Sequence, residues 1–265
     1  MRKIIIALSA ILLVSSCSKV PLTGRRQMNI LPESDLIGMS LSEYKDFLSK
    51  NPPIVSTNND AIMVKSVGSK IQSAVTQYLA KNKLSKRLAG YKWEYNLVKD
   101  STVNAWCMPG GKVVVYSGLL GVTQNETALA IVMGHEIAHA VARHGNERMS
   151  QGLLTQLGGV ALGVAVSTES AQTQAIFNTA YGVSSQLAIM LPYSRLQESE
   201  ADKLGLIFAA MAGFDPQEAP KFWGRMMAQG GAKPPQILST HPSDLKRIND
   251  LKAFMPEAMK YYKKK

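Results

Sequence analysis

A chain of 265 residues can hold one catalytic domain with a large core, and no internal repeat or proline-rich linker splits it. Its net charge of +11 is spread along the chain, apart from a terminal group of Lys260, Lys263, Lys264 and Lys265, and no RNA- or DNA-binding motif accompanies it. There is thus no case for a nucleic-acid partner, a tail resting on anionic lipid headgroups is the simpler account, and the two cysteines, Cys17 and Cys107, exclude a disulfide framework.

Arg2 and Lys3 precede an apolar run from Ile4 to Val14 that is too short to span a bilayer. The run ends in Val14-Ser15-Ser16-Cys17, small residues before a cysteine. This is the pattern of a bacterial lipoprotein signal: residues 1–16 are the signal peptide, and Cys17 carries the lipid. An ordinary secretory signal peptide is the alternative. Ser18, in place of an aspartate, points to the outer membrane. With Cys17 lipidated, Cys107 is left single, either a reactive thiol or a small buried hydrophobe.

Residues 17–32 read as an N-terminal linker, and 33–265 as the catalytic domain. Helices are expected over Glu33–Leu48 and over Asn59–Lys81, where Ile62, Val67, Ile71, Val75 and Leu79 supply the apolar spacing. Trp93–Val98, Val103–Met108 and the β-branched run Lys112–Tyr116 read as strands, the last two paired across Pro109-Gly110-Gly111. Thr123 to Glu126 has the form of a capping box ahead of a helix that is apolar nearly all round, hence a core helix. Leu153–Val166 reads as a helix that is either buried or touching the membrane surface. Ala171–Leu191, Arg195–Ala212, Pro216–Met227 and Pro242–Phe254 are further helices.

The core helix carries His135-Glu136-Ile137-Ala138-His139. Residues four apart share a helix face, so both imidazoles can grip one metal ion, and the Glu136 carboxylate can reach a water on that metal. This is the H-E-x-x-H arrangement of zinc peptidases. Catalytic zinc usually takes three protein ligands. His144 lies five residues past His139, rotated from the shared face, and reads as structural. Gly145 stands where the longer H-E-x-x-H-x-x-G-x-x-H pattern would need its third histidine. Glu198 is the better third ligand. Asp202, one turn later, is placed to orient an imidazole, His135 before His139, by accepting its other N–H. Glu200 points to another face and reads as solvated.

Together these residues resemble the zinc peptidase family that includes HtpX and the CAAX prenyl endopeptidases. The likeness runs from about Val20 to Leu251. It includes Asn104-Ala105-Trp106 with Pro109-Gly110-Gly111, Arg143-His144, Tyr193-Ser194-Arg195, Thr240-His241-Pro242 and Arg247-Ile248. Pro21 to Gln27, P-L-T-G-R-R-Q, resembles the opening of the family's LoiP-like envelope lipoprotein branch. Trp106 replaces the usual phenylalanine, and the long membrane-spanning segments of integral members are missing.

The resemblance implies an α+β fold, a mainly helical gluzincin-type metallopeptidase domain with a small antiparallel sheet beside the zinc helix. It implies one zinc per chain on His135, His139 and Glu198, with Glu136 as general base. It makes Asn104 and Ala105 part of an edge strand that pairs with an extended substrate. His241 is open between three roles: oxyanion donor, occupant of the open zinc position in a resting state, or helix cap. The expected activity is zinc-dependent cleavage of unfolded or misfolded envelope proteins by a lipid-anchored, periplasm-facing enzyme. The competing expectation is a chaperone-like lipoprotein with a structural zinc. A peptidoglycan hydrolase is disfavoured by the lack of a peptidoglycan-binding module.

Overall fold

Two local signals start the fold where the sequence places them. Asn58 caps α2 (Asn59–Lys81) by accepting the amides of Asp60 and Ala61 at 2.9 and 3.1 Å. The buried face of α2 runs Val64, Val67, Ile71, Val75, Leu79. Ile62, expected on that face, is 49 % exposed, because five residues to Val67 is not a helical repeat. The preceding helix α1 spans Glu33–Lys50. This is a computed structural model, and it describes residues 17–157, 171, 173, 194–229, 235–241 and 245–263.

Strands β3 (Glu94–Val98), β4 (Ala105–Met108) and β5 (Lys112–Tyr116) form a sheet in the order β3-β5-β4. The β4–β5 hairpin turns through Gly110 and Gly111, both at positive φ. The expected antiparallel sheet is therefore mixed. The chain crosses to the far edge after β3, and the hairpin brings β5 back between the two, parallel to β3 and antiparallel to β4. Both faces are covered, which explains why β4 is buried at every position instead of alternating. Ala105, Cys107, Val113 and Val115 join the main core, while Trp106, Met108 and Val114 pack with Tyr44 and Phe47 of α1.

A short helix, α3 (Ser117–Thr123), precedes the metal-binding candidate α4 (Glu126–Ala142). The expected capping box is displaced: Thr123 ends α3, and Asn125 caps α4 by accepting the Ala128 amide at 2.8 Å. From Ala128 to Ala142 every residue of α4 is buried. Arg143 then adopts the left-handed conformation, and α5 (His144–Leu157) starts in a new direction. The helix read over Leu153–Val166 lies outside the described residues beyond Leu157, as does nearly all of the helix read over Ala171–Leu191.

Helix α6 (Arg195–Met211) opens with a reciprocal box between Ser194 and Gln197 and stops before Gly213, at φ +91°. It packs on α4 more closely than side chains would allow, because Gly134 and Gly205 meet at the crossing. Helices α7 (Glu218–Ala228), α8 (Gln236–Thr240) and α9 (Leu245–Met259) complete the described chain. None of the described helices is long and apolar enough to cross a membrane.

The segment read as a linker is folded. Cys17–Lys19 (β1) and Arg26–Met28 (β2) form an antiparallel hairpin on the end of α4. Gln27 donates to Ala142 O at 2.7 Å and Arg87 to Val141 O at 2.8 Å. The hairpin is held because α4 ends with carbonyls that have no partner within the helix, and these side chains supply them.

Candidate metal centre

The α4–α6 crossing brings four donors together. His135 Nε2 and His139 Nε2 are 3.1 Å apart, as the spacing of four on one helix allows. Glu198 of α6 places Oε1 3.2 Å from His139 Nε2. His241, at the end of α8, places Nδ1 2.8 Å from that carboxylate oxygen and 3.1 Å from His135 Nε2. All four residues are buried, and their donor atoms lie within 4.8 Å of one another. Three nitrogens and a carboxylate oxygen converging in a dry place is the donor set zinc takes. A tetrahedron with bonds of about 2.0–2.1 Å has edges of roughly 3.3 Å. The observed spacings fit such an ion.

The surrounding residues fix the donors. Asp202 Oδ1 is 2.9 Å from His135 Nδ1, so this ring can offer its other nitrogen to a metal. Asp202 is itself clamped by Arg247, whose Nε and Nη2 both donate at 2.7 Å. Arg247 Nη1 is also 3.1 Å from Glu198 Oε2, and the guanidinium lies 3.6 Å from the centroid of the buried Trp223 ring. Neither Arg247 nor Trp223 has a role that the sequence announces. The Arg247-Ile248 pair was the one signal, and it carries no geometry by itself.

Two expectations fail here. His144 is not rotated away: the left-handed turn at Arg143 ends α4 and returns His144 onto the site, with Nδ1 2.9 Å from His139 Nδ1. Glu200 is not solvated: it is 1 % exposed and sits 3.2 Å from His144 Nε2. The second face of α6 is covered by the N-terminal hairpin.

The electrostatics suit a cation. Burial would raise the Glu198 carboxyl, but His241, Arg247 and His135 hold it well below the usual range, so it stays ionised. Burial also opposes charge on Asp202, and Arg247 and the His135 hydrogen bond still lower its pKa. Burial drives His139 well below its ordinary value, whereas at His135 the pull of Glu198 and Asp202 overcomes burial and lifts the ring to about 9. The carboxylates thus favour positive charge at His135, and a proton or a metal ion can meet it. Burial raises the pKa of Glu136, against the pull of His241 and His135. Its Oε1 is buried, has no hydrogen-bond partner among the described residues, and is 3.6 Å from His241 Nε2.

The remaining expected residues are not among the four donors. Asn104 and Ala105 are buried at the start of the edge strand β4, which packs on α4. Cys107 is a buried free thiol whose pKa is raised by burial and then by Glu136. Cys17 begins β1.

Comparison with known proteins agrees with this geometry. Residues 66–255 match peptidase family M48, and residues 1–18 match the prokaryotic membrane lipoprotein lipid attachment site. The chain is 32 % identical over 243 residues to the mitochondrial metalloendopeptidase OMA1 of Schizosaccharomyces pombe, covering 90 % of this chain and 66 % of that one. It is 29 % identical to human OMA1 over 91 % of this chain and 46 % of that one. It is 31 % identical to the beta-barrel assembly-enhancing protease of Escherichia coli K12 over 66 % of this chain and 38 % of that one. The chain therefore spans between about a third and two thirds of the length of these relatives. With the family match enclosing all four donors and Glu136, the chain belongs to peptidase family M48.

Proposed function

We propose that this protein is a zinc-dependent endopeptidase of the bacterial cell envelope, anchored by lipid on Cys17 and cleaving unfolded or damaged envelope proteins. The observation that carries the activity is Glu136. It stands between two donor histidines with Oε1 buried, unbonded among the described residues, and turned toward the donor cluster. A structural metal site has no use for such a group. His135, His139 and Glu198 would hold the ion, and Asp202 and Arg247 fix their orientation. When bound, zinc supplies Lewis acidity, polarising the scissile carbonyl and making water easy to deprotonate near neutral pH. Glu136 takes the proton of the attacking water. As the C–N bond breaks it delivers that proton to the departing amine.

His241 would supply a fourth donor in the resting protein and would have to yield that place for water and substrate to enter. The segment that carries it also donates the Ile237 amide to Val103 O at 3.3 Å, just ahead of β4. Its withdrawal would clear the strand edge at Asn104 and Ala105 for an extended peptide. Such pairing reads backbone more than side chains and suits unfolded substrates. The envelope setting is supported by the lipid attachment match and by the E. coli relative named for beta-barrel assembly. The LoiP-like branch rests on Pro21 to Gln27, and the outer membrane on Ser18.

The test is casein cleavage by purified protein with and without chelator. Wild type should cleave only with metal. Glu136→Gln should keep one zinc per chain and lose activity by several orders of magnitude. Glu198→Ala should lose the zinc, whereas His241→Ala should retain it on three ligands. Zinc lost from His241→Ala, with casein untouched by wild type, would overturn the peptidase reading in favour of a closed structural site in a chaperone-like lipoprotein.

A further inference from the structure

The N-terminal hairpin does more than cap a helix. Thr23 Oγ1 donates to Glu200 Oε1 at 2.6 Å. Arg25 donates to both oxygens of Glu200 from Nε, at 3.0 and 3.2 Å, and from Nη2 at 2.9 Å. The same guanidinium grips Glu147 at 2.6 and 2.8 Å, and Gln197 donates to Glu147 at 2.7 Å. Arg25 thus binds α5 to α6 from outside both. The Arg25 guanidinium donates to both Glu200 oxygens and the Thr23 hydroxyl to one of them, an ion pair that holds this carboxyl as an anion.

An anion at Glu200 sets the tautomers of two histidines in turn. His144 must present Nε2–H to it, which leaves His144 Nδ1 as an acceptor. The His144 Nδ1 to His139 Nδ1 contact of 2.9 Å then needs His139 to donate from Nδ1. That tautomer puts the lone pair of His139 on Nε2, the atom in the donor cluster. The order is Arg25, Glu200, His144, His139. His135 has the Asp202 carboxylate at its Nδ1, whereas the Nδ1 of His139 is linked to the Glu200 carboxylate through His144.

We infer that Arg25 and Thr23 are positioning residues for the metal ligand His139, acting through Glu200 and His144, so that docking of the N-terminal hairpin and metal affinity are coupled. This rests on the reading of the four-donor cluster as a zinc site. Hairpin and anchor are also adjacent in the chain, since Cys17 is the first residue of β1. Whatever undocks the hairpin from the body loosens the zinc, and by reciprocity removal of zinc loosens the hairpin.

The experiment measures zinc affinity of the purified holoenzyme by competition with a chromophoric chelator. Breaking the outer support of a ligating histidine should weaken zinc about tenfold in Arg25→Ala and again in Glu200→Gln. The double variant should be no weaker than the worse single one, because both cut the same chain. Thr23→Val should lose less in the same direction, and Arg26→Ala, the next residue along and exposed at the start of β2, should bind as wild type. Cobalt-substituted Arg25→Ala should show shifted ligand-field bands, which a fault in overall stability alone would not produce. In wild type, chelation should speed hydrogen exchange at Val20 and Gly24, whose amides close the hairpin turn. Wild-type zinc affinity and an unshifted cobalt spectrum in Arg25→Ala, or multiplied losses in the double variant, would overturn the coupling. Wild type that binds no zinc would instead sink the metal-site reading beneath it.

Discussion

Gly205 lies against the backbone of His135. A Cβ at Gly205 would stand 2.8 Å from the His135 amide nitrogen, and one at Gly134 would stand 2.9 Å from the Gly205 carbonyl oxygen. Only bare backbone on both helices permits this approach, and it carries Glu198 and Asp202 to the two histidines. Gly205→Ala forces α4 and α6 apart. Overpacking of this kind costs about 1–3 kcal/mol, and the donor set should open with it. Thermal unfolding and metal analysis should show a lower midpoint and less than one zinc per chain. Gly224→Ala on α7 is the control, since nothing lies within 4 Å of an added Cβ there. Equal behaviour of the two variants would remove the glycine contact as the reason for the site's geometry.

Asp202 accepts from His135 while held by two nitrogens of Arg247. An asparagine keeps the size but has one acceptor oxygen and an NH2 group that meets either the guanidinium or the ring. Loss of such a carboxylate behind a metal-bound histidine costs ~10 to 100-fold in metal affinity or activity. Asp202→Asn should therefore hold zinc more weakly than wild type and more tightly than Glu198→Ala. Chelator competition ranks the three. An Asp202→Asn affinity equal to wild type would mean that Arg247 alone sets the position of His135.

The parts of this site that are legible in the sequence are those with helical spacing: His135 with His139, and Glu198 with Asp202. Four residues on a helix is a local relation that tertiary packing does not alter. Arg247, Trp223 and Arg25 have no local signature, because their partners lie on other elements. Arg25 reaches across 175 residues to Glu200. The misreadings of Glu200 and of residues 17–32 have one cause. A helix with a metal face is expected to turn its other side to solvent, and the segment that covers that side carries Pro, Gly and basic residues, the composition of a linker. His144 fails for a different reason. Its rotation away from His139 assumes a continuous helix, and the left-handed Arg143, a conformation few non-glycine residues adopt, breaks it one residue earlier. The helices α1 and α2 and the β4–β5 hairpin were legible because apolar period and turn glycines agree there. The parallel placement of β3 was not, since strand order depends on a crossover that the strand sequences do not encode.

Stability should fall in acid through Glu200. Its folded pKa is about 2, below the ordinary carboxyl value of 4.5. A depressed carboxyl contributes stability that is complete above the unfolded value and is lost as pH falls toward the folded one. The loss belongs between pH 4.5 and about 2. Denaturant titrations across this window should show a steeper decline in wild type than in Glu200→Gln. Both proteins should be stripped of metal first, so that protons competing for the zinc ligands do not contribute. Burial keeps His144 neutral and lowers its pKa, so it adds an earlier loss in the same direction below 6.5. Parallel curves for the two proteins across that same window would place the Glu200 charge outside the folding balance.

The membrane association of this protein should survive salt. The lipid attachment match ends one residue past Cys17, and the basic C-terminal residues offer a second, weaker route to a membrane surface. Electrostatic attraction supplies only ~1 kcal/mol per basic residue near an anionic surface and fades within a Debye length. A single acyl chain binds marginally and reversibly, but a bacterial lipoprotein anchor carries more than one, which makes release slow at any ionic strength. Wild-type protein should therefore stay with membranes through a high-salt wash, while Cys17→Ala should lose lipid attachment and signal processing together. Removing the terminal lysines should leave the distribution unchanged. Release of wild type by salt would assign retention to charge, and would leave Cys17 as the first residue of a hairpin strand with no part in anchoring.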